Sequence, residues 1–260
     1  MTADLLTELS DVALRTASAA ARLLEEYSHA VTHDVSTKSS PTDLVSEADR
    51  ASEARIFADL RSARPNDSVL GEEGAAHDGT SGISWVADPL DGTTNFVFGI
   101  PAFAVSLAAL WDGRPVVGVV VDPSRKETWT ATRGRGTTLN GSPCHVASGR
   151  SQLSTALVAT GFGYRVERRA EQAALLPRLL PAVRDIRRFG SAALDLCWVA
   201  CGRYDAYYES HLNEWDWAAG RVICEEAGGV VERLPGELLL ASTQELSAPL
   251  AGLLTALQTG

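Results

Sequence analysis

Trp85-Val-Ala-Asp-Pro-Leu-Asp-Gly-Thr-Thr-Asn-Phe96 sets two carboxylates, Asp88 and Asp91, three residues apart with Pro89 between them. The apolar run Trp85 to Ala87 reads as a strand end that delivers the first carboxylate where the chain leaves a sheet. Paired aspartates at such a junction suit a hard divalent cation such as Mg²⁺, which takes oxygen ligands and retains waters. The backbone N–H groups of Gly92 to Thr94 would then face an anion. A Pro-Leu-Asp-Gly reverse turn, its aspartates merely satisfying backbone donors, is the stronger explanation for the motif in isolation. Aspartates two apart, as in phosphatases of the haloacid type, and the alternating ligands of an EF-hand are both missing.

Three further carboxylates bear on the choice. Glu72, in Gly71-Glu-Glu-Gly74, closes the short strand Val69-Leu70. Alone it reads as a solvated loop; beside Asp88 and Asp91 on a neighbouring strand it becomes a bridging ligand, with Glu73 pointing the other way. Asp216 lies in Trp215-Asp-Trp217 just before Ala218-Ala-Gly220, where it is either a helix N-cap or the residue completing a metal site. Asp49 ends Ser46-Glu-Ala-Asp49, a capping-box pattern; alternatively it accepts a hydrogen bond from the Thr93 hydroxyl and orients it toward a metal-bound water.

The 260 residues fit one large domain or two closely joined halves, and a hydrophobic fraction of 45% with 22% charged residues is ordinary for a globular chain. A net charge of −10 argues against nucleic acid or an anionic membrane as the main partner, because phosphate backbones need a basic footprint. A small phosphate ester stays possible where cations reverse the field locally. Asp4, Glu8 and Asp11 near the start do not read as a signal peptide, and aliphatic runs such as Val116 to Val121 are strand-sized. Cys144, Cys197, Cys201 and Cys224 form no CxxC pair, and Cys197 and Cys201, one helical turn apart on an apolar stretch, read as buried free thiols; the expected location is the cytoplasm. His29, His33, His77, His145 and His211 show no ligand spacing, and Gly134-Arg-Gly136 and Gly161-Phe-Gly163 lack the third glycine of a dinucleotide fingerprint.

Outward from the motif, helical spacing from Leu5 to Leu24 predicts a long amphipathic first helix, followed by a polar loop from Thr32 to Pro41. Ser46 then caps a helix reaching about Ala63, ahead of Pro65. Strands follow at Val69-Leu70, 84–87, 104–110, 115–121 and 128–132, with turns at Asp112-Gly113 and Asp122-Pro123. The second half alternates strands at 156–159, 185–188, 205–209 and 229–232 with helices at about 167–180, 191–201 and 216–227. Helices and mostly antiparallel strands in this order suggest layered sheets with helix pairs between them. The expected division is an N-terminal α+β half, residues 1–145, carrying most metal ligands, tightly joined to a C-terminal α/β half, 146–260.

Taken together, Lys38-Ser-Ser-Pro-Thr-Asp-Leu-Val45 with Asp49, Gly71-Glu-Glu73, Trp85 to Phe96 with Pro101 and Ser106, and Trp215-Asp216 with Ala227-Gly-Gly229 resemble the inositol monophosphatase family of Mg²⁺-dependent, lithium-sensitive phosphatases, in order and approximate spacing over nearly the whole chain. Phe189 to Leu196 also resembles the segment that family places beside the substrate ring. The resemblance implies an α/β (α+β) fold layered α-β-α-β-α, usually dimeric, and two to three Mg²⁺ per site. It implies that Glu72, Asp88 and the Leu90 carbonyl hold one cation, Asp88, Asp91 and Asp216 a second, and Glu72 with waters a weaker third. Gly92 and Thr93 would offer N–H groups to phosphate, and Thr93 with Asp49 would position the attacking water. Glu209 and the Ala192 backbone would contact the substrate ring, alongside Asp91.

The substrate expected from the resemblance is a small phosphorylated polyol, most of all myo-inositol monophosphate. Relatives acting on histidinol phosphate, fructose bisphosphate or 3′-phosphoadenosine nucleotides share the metal motifs. Glu209, Gly190-Ser-Ala192 and the short loops favour inositol phosphate, as does Ser191 where histidinol-phosphate relatives often carry aspartate. A non-catalytic binding or regulatory member of the fold is the alternative of a different class; such a member would be expected to lose metal ligands.

Overall fold

The computed structural model describes residues 1–29, 35–37 and 44–259. Helix α1, Ala3–Ser28, starts where the Thr2 hydroxyl accepts from the Leu5 N–H at 3.2 Å, and it buries Leu9, Val12, Ala13, Ala17, Ala20 and Leu24 along one stripe. Strands β1, Val35–Thr37, and β2, Leu44–Ser46, pair antiparallel. Part of the expected polar loop is therefore strand: the β-branched Val35 and Thr37 suit the extended pairing. Residues 38–43 of the Lys38–Val45 motif lie outside the described residues, as does His33. Helix α2, Glu47–Ala63, is capped by Ser46 as its capping box predicts.

Next come β3, Ser68–Gly71; β4, Ala76–His77; β5, Ile83–Asp91; a short helix α3, Thr93–Val97; β6, Ala104–Trp111; β7, Arg114–Asp122; β8, Glu127–Thr132; β9, Thr137–Leu139; and β10, Ser142–Pro143. They form a sheet ordered β10-β9-β8-β7-β6-β5-β3-β4, parallel only at β3 and β5. A second sheet, ordered β12-β11-β13-β15-β14, contains β11, Leu157–Thr160; β12, Asp185–Arg187; β13, Ala206–Ser210; β14, Val230–Leu234; and β15, Leu238–Ser242. The remaining helices are α4, Val166–Leu179; α5, Ala192–Ala200; α6, Glu214–Glu226; and α7, Gln244–Thr259.

Side-chain alternation shows how these pieces stack. On β6, Val105, Leu107 and Ala109 pack with α1 and α2, while Ala104, Ala108 and Leu110 pack with α5 and α6. A strand buried on both faces belongs to a sheet with helices on either side. On β13 the same switch puts Tyr207 against α5 and α6, and Ala206 and Tyr208 in a third cluster with Leu175 and Leu179 of α4 and Leu246, Leu250 and Leu254 of α7. The middle core lies on both faces of the α5–α6 layer, and the other two lie under the outer helices, giving five layers in the order α-β-α-β-α. Among the described residues no helix is long and apolar enough to cross a membrane.

The middle layer carries Asp216 on α6, and one glycine sets how closely α6 approaches the sheet. A Cβ at Gly118 of β7 would stand 2.4 Å from the Ala219 carbonyl oxygen of α6, a backbone atom with no freedom to yield. Gly118→Ala is therefore expected to cost about 1–3 kcal/mol through overpacking, read as a lowered thermal midpoint. Unchanged stability would show that α6 can shift freely on the sheet.

Candidate metal and phosphate site

Strand β5 does not turn at Pro89, contrary to the reverse-turn reading. It continues to Asp91, and its pairing with β6 slips between Asp88↔Ser106 and Asp91↔Ala104. Three steps along β5 thus match two along β6, which is a β-bulge. In a regular strand, residues three apart face opposite sides; the extra residue brings both carboxylates to the same side. Two contacts shape the bulge: Leu90 N–H donates to Asp88 Oδ1 at 3.0 Å, and the Ser52 hydroxyl of α2 donates to the Pro89 carbonyl at 2.7 Å.

A cavity of ≈ 210 Å³ opens beside this bulge, and Glu72, Asp88, Leu90, Asp91, Gly92, Thr93, Ala192, Glu209 and Asp216 all line it. Residues far apart in sequence are thereby gathered at one place. A larger groove, ≈ 520 Å³, lies between α1 and α2, but the one carboxylate lining it, Asp59, is paired with Arg55. Chemistry, not volume, selects the smaller cavity.

Asp49 divides its two oxygens between the capping box and Thr93. Oδ2 accepts from the Ser46 N–H at 2.8 Å and the Ser46 hydroxyl at 2.5 Å, while Oδ1 accepts from the Thr93 hydroxyl at 2.8 Å. The Thr93 oxygen also lies 3.1 Å from the Leu90 carbonyl, and its single proton serves one acceptor at a time. Asp49 is completely buried and stands behind Thr93 rather than in the cavity wall.

Asp91 is anchored across 100 residues of sequence: its Oδ2 accepts from the Ser191 hydroxyl at 2.6 Å and from the Ala193 N–H at 2.7 Å, at the start of α5. The Ser191 hydroxyl, at the position that bears on the substrate reading, holds this carboxylate. Asp216 is the third residue of α6, not its N-cap; Asn213 occupies that position and donates its N–H to Asp216 Oδ2 at 2.7 Å. Glu72 leads out of β3 into a turn organised by Glu53 of α2, which accepts from the Glu73 N–H at 2.8 Å and the Ala75 N–H at 3.2 Å. Glu73 is not among the cavity residues. Glu53 and Ser191 went unrecognised as site-builders because each acts on a segment distant in sequence.

Burial and crowding dominate the electrostatics. Asp88 is pushed well above the usual carboxylate range by burial, then by the charges of Glu72, Asp91 and Asp216 and by a hydrogen bond with Glu72. Asp216 is raised by burial and by Asp91 and Glu72. Asp91 rises to about 6, burial outweighing its bonds to Ser191 and Ala193. Glu209 rises to about 7 through burial, against the lowering effects of Tyr207 and Arg188. Arg165, Arg168 and Arg188 line the cavity too, and no motif in the sequence pointed to them.

Among the described residues, no three His, Cys, Asp or Glu side chains are drawn into a ready-formed cage for a metal ion. The donor set nevertheless suits one. Glu72, Asp88, Asp91 and Asp216, four of the five carboxylates lining the cavity, offer only oxygen, as does Leu90 through its carbonyl, and the mutual penalty on Asp88, Asp91 and Asp216 is what a divalent cation would relieve.

The inositol monophosphatase family profile matches residues 5–259. The chain is 48% identical to an inositol-1-monophosphatase of Mycobacterium leprae over 206 residues, 76% of this chain and 71% of that protein. It is 47% identical to the Nus factor SuhB of Pseudomonas aeruginosa over 200 residues, 75% of this chain and 73% of that one. The crystal structure of the extragenic suppressor protein suhB from Bartonella henselae superposes with a TM-score of 0.89 at 38% identity, covering 95% of this chain and 98% of the other. With the family profile spanning residues 5–259 and the fold shared over 95% of the chain, the chain belongs to the inositol monophosphatase family.

Proposed function

We propose that this phosphatase hydrolyses the phosphomonoester of a small polyol, myo-inositol monophosphate first among the candidates, with Mg²⁺ as cofactor. The observation that carries the proposal is the contact of Thr93 with Asp49, 2.8 Å, at the edge of a cavity lined by Glu72, Asp88, Asp91 and Asp216. Glu72, Asp88, the Leu90 carbonyl, Asp91 and Asp216 would hold two to three cations. Bound there, Mg²⁺ supplies the positive charge that admits a phosphate dianion and stabilises the leaving alkoxide.

The chain's own residues do the rest. With its proton directed to Asp49 Oδ1, the Thr93 oxygen keeps lone pairs to accept a hydrogen bond from an attacking water, and as the water attacks, its proton moves to Thr93 while the Thr93 proton passes to Asp49. Gly92 and Thr93 would offer backbone N–H groups to the phosphate. Glu209, lining the same cavity, would accept a hydrogen bond from a ring hydroxyl, and the Ala192 backbone would meet the ring as well. The acidic surface and the absence, among the described residues, of any membrane-length apolar helix accord with a cytoplasmic enzyme; a homodimer is proposed on the family's habit.

Phosphate release from a panel of inositol monophosphate, histidinol phosphate, fructose 1,6-bisphosphate and 3′-phosphoadenosine nucleotides tests the proposal. We expect Mg²⁺-dependent turnover, the highest kcat/KM on inositol monophosphate, and inhibition by lithium. A higher value on another substrate would move the assignment to it. The SuhB name of the Pseudomonas relative supports a second reading, a binding role in a transcription-associated assembly. Inactivity on every ester with Mg²⁺ present would favour that role.

A further inference from the structure

Glu209 occupies a position that only a neighbour without a side chain permits. Gly161 follows directly on β11, which runs parallel to β13 with Thr160 opposite Tyr208. A Cβ built on Gly161 would stand 1.7 Å from Glu209 Oε2, 2.3 Å from Cδ and 2.6 Å from Oε1. These are the three atoms nearest to it, so the recess above Gly161 is filled by one carboxyl group. The φ of Gly161 lies outside the left-handed region, so its backbone has no need of glycine. The wholly buried Tyr207, which is not itself a cavity-lining residue, donates its hydroxyl to Glu209 Oε2 at 2.7 Å. Tyr207 and Glu209 are two apart on β13 and share a face of the strand.

We propose that Gly161 is a specificity-determining residue: its missing side chain makes the recess that, with the Tyr207 hydroxyl, fixes the Glu209 carboxyl where it meets the leaving polyol. The inference rests on the role given to Glu209 above. A carboxyl at the end of a flexible side chain is also the part that yields when a methyl group intrudes. Gly161→Ala therefore displaces the substrate contact while the fold absorbs the change. The loss falls on substrates with a hydroxyl for Glu209 to accept, because a site built to hydrogen-bond such a group discriminates against ligands that lack it.

The test compares Gly161→Ala, Glu209→Ala and the double variant on two esters: the polyol phosphate that wild type turns over best, and p-nitrophenyl phosphate, which carries no polyol. We expect Gly161→Ala to raise KM for the polyol ester about tenfold relative to any change on the nitrophenyl ester. In the Glu209→Ala background the same substitution should add little, since the double-mutant cycle then has nothing left to couple. Equal losses on both esters, or additive losses in the cycle, would overturn the proposal. A crystal structure of the Gly161→Ala protein decides independently of turnover: Glu209 displaced from Tyr207 supports the recess, and Glu209 unmoved sinks it. Failure of the underlying activity looks different, since wild type itself would then release no phosphate from any ester.

Discussion

Asp91→Asn is expected to lower Mg²⁺-dependent phosphate release by about 10³-fold or more while the protein stays folded. Asparagine keeps the shape of the side chain and can still present an oxygen to the Ser191 hydroxyl and the Ala193 N–H, which hold Asp91 Oδ2 at 2.6 and 2.7 Å. It then has an amide nitrogen where aspartate has its second oxygen, and that nitrogen cannot ligate a cation. Losing several kcal/mol of metal-borne charge stabilisation corresponds to at least three powers of ten in rate. Stability should move the opposite way without metal. A carboxyl held near pH 6 by burial is a liability once ionised, so the neutral variant should melt at or above the wild-type midpoint at pH 8 in a chelator. Near wild-type phosphate release by Asp91→Asn would remove this cavity as the active site.

Where the sequence was legible, periodicity carried it. Helix α1 and strands β5 to β8 announce themselves by apolar spacing, and α2 by its Ser46 cap and the stop at Pro65. The two- and three-residue strands β4, β9 and β10 contain no period to detect. Strand β15, Leu238–Ser242, is apolar on both sides, and α7 contains Pro249, which locally argues against a helix. The five-residue α3 is shorter than any helical pattern.

The candidate site is legible in the sequence as a set of candidate carboxylates but not as a built object. Spacing alone left Asp88 and Asp91 in a reverse turn, because the bulge exists only through pairing with β6. The two readings of Asp49 could not be separated while its oxygens were treated as one group; the structure gives Oδ2 to Ser46 and Oδ1 to Thr93. Ser191, Glu53, Tyr207 and Gly161 hold or make room for site carboxyls, and their sequence neighbourhoods carry no trace of that task.

Crowded carboxylates also predict how the metal-free protein responds to pH. Asp91 and Glu209 are raised to about 6 and about 7, and Asp88, Asp195 and Asp216 are likewise pushed well above the usual carboxylate range, each chiefly by burial. Unfolded, these groups titrate near pH 4. Between the two ranges the folded chain binds more protons than the unfolded one, so stability falls as pH rises. The contribution is complete below about pH 4 and is lost as pH climbs through 6 and 7. For Glu209 alone, a rise from 4.5 to about 7 corresponds to a few kcal/mol, on the order of 3. In a chelator, the thermal midpoint should therefore drop by roughly 5–10 °C between pH 5 and pH 8. Saturating Mg²⁺ should remove most of that drop, because a cation binds the ionised carboxylates of the folded state and scarcely those of the unfolded chain. Glu209→Gln should shrink the residual slope seen with Mg²⁺, since Glu209 stands apart from the proposed metal ligands. Melting curves that ignore both pH and Mg²⁺ over this range would mean that the carboxylates of the cavity are neither strained by burial nor relieved by a cation.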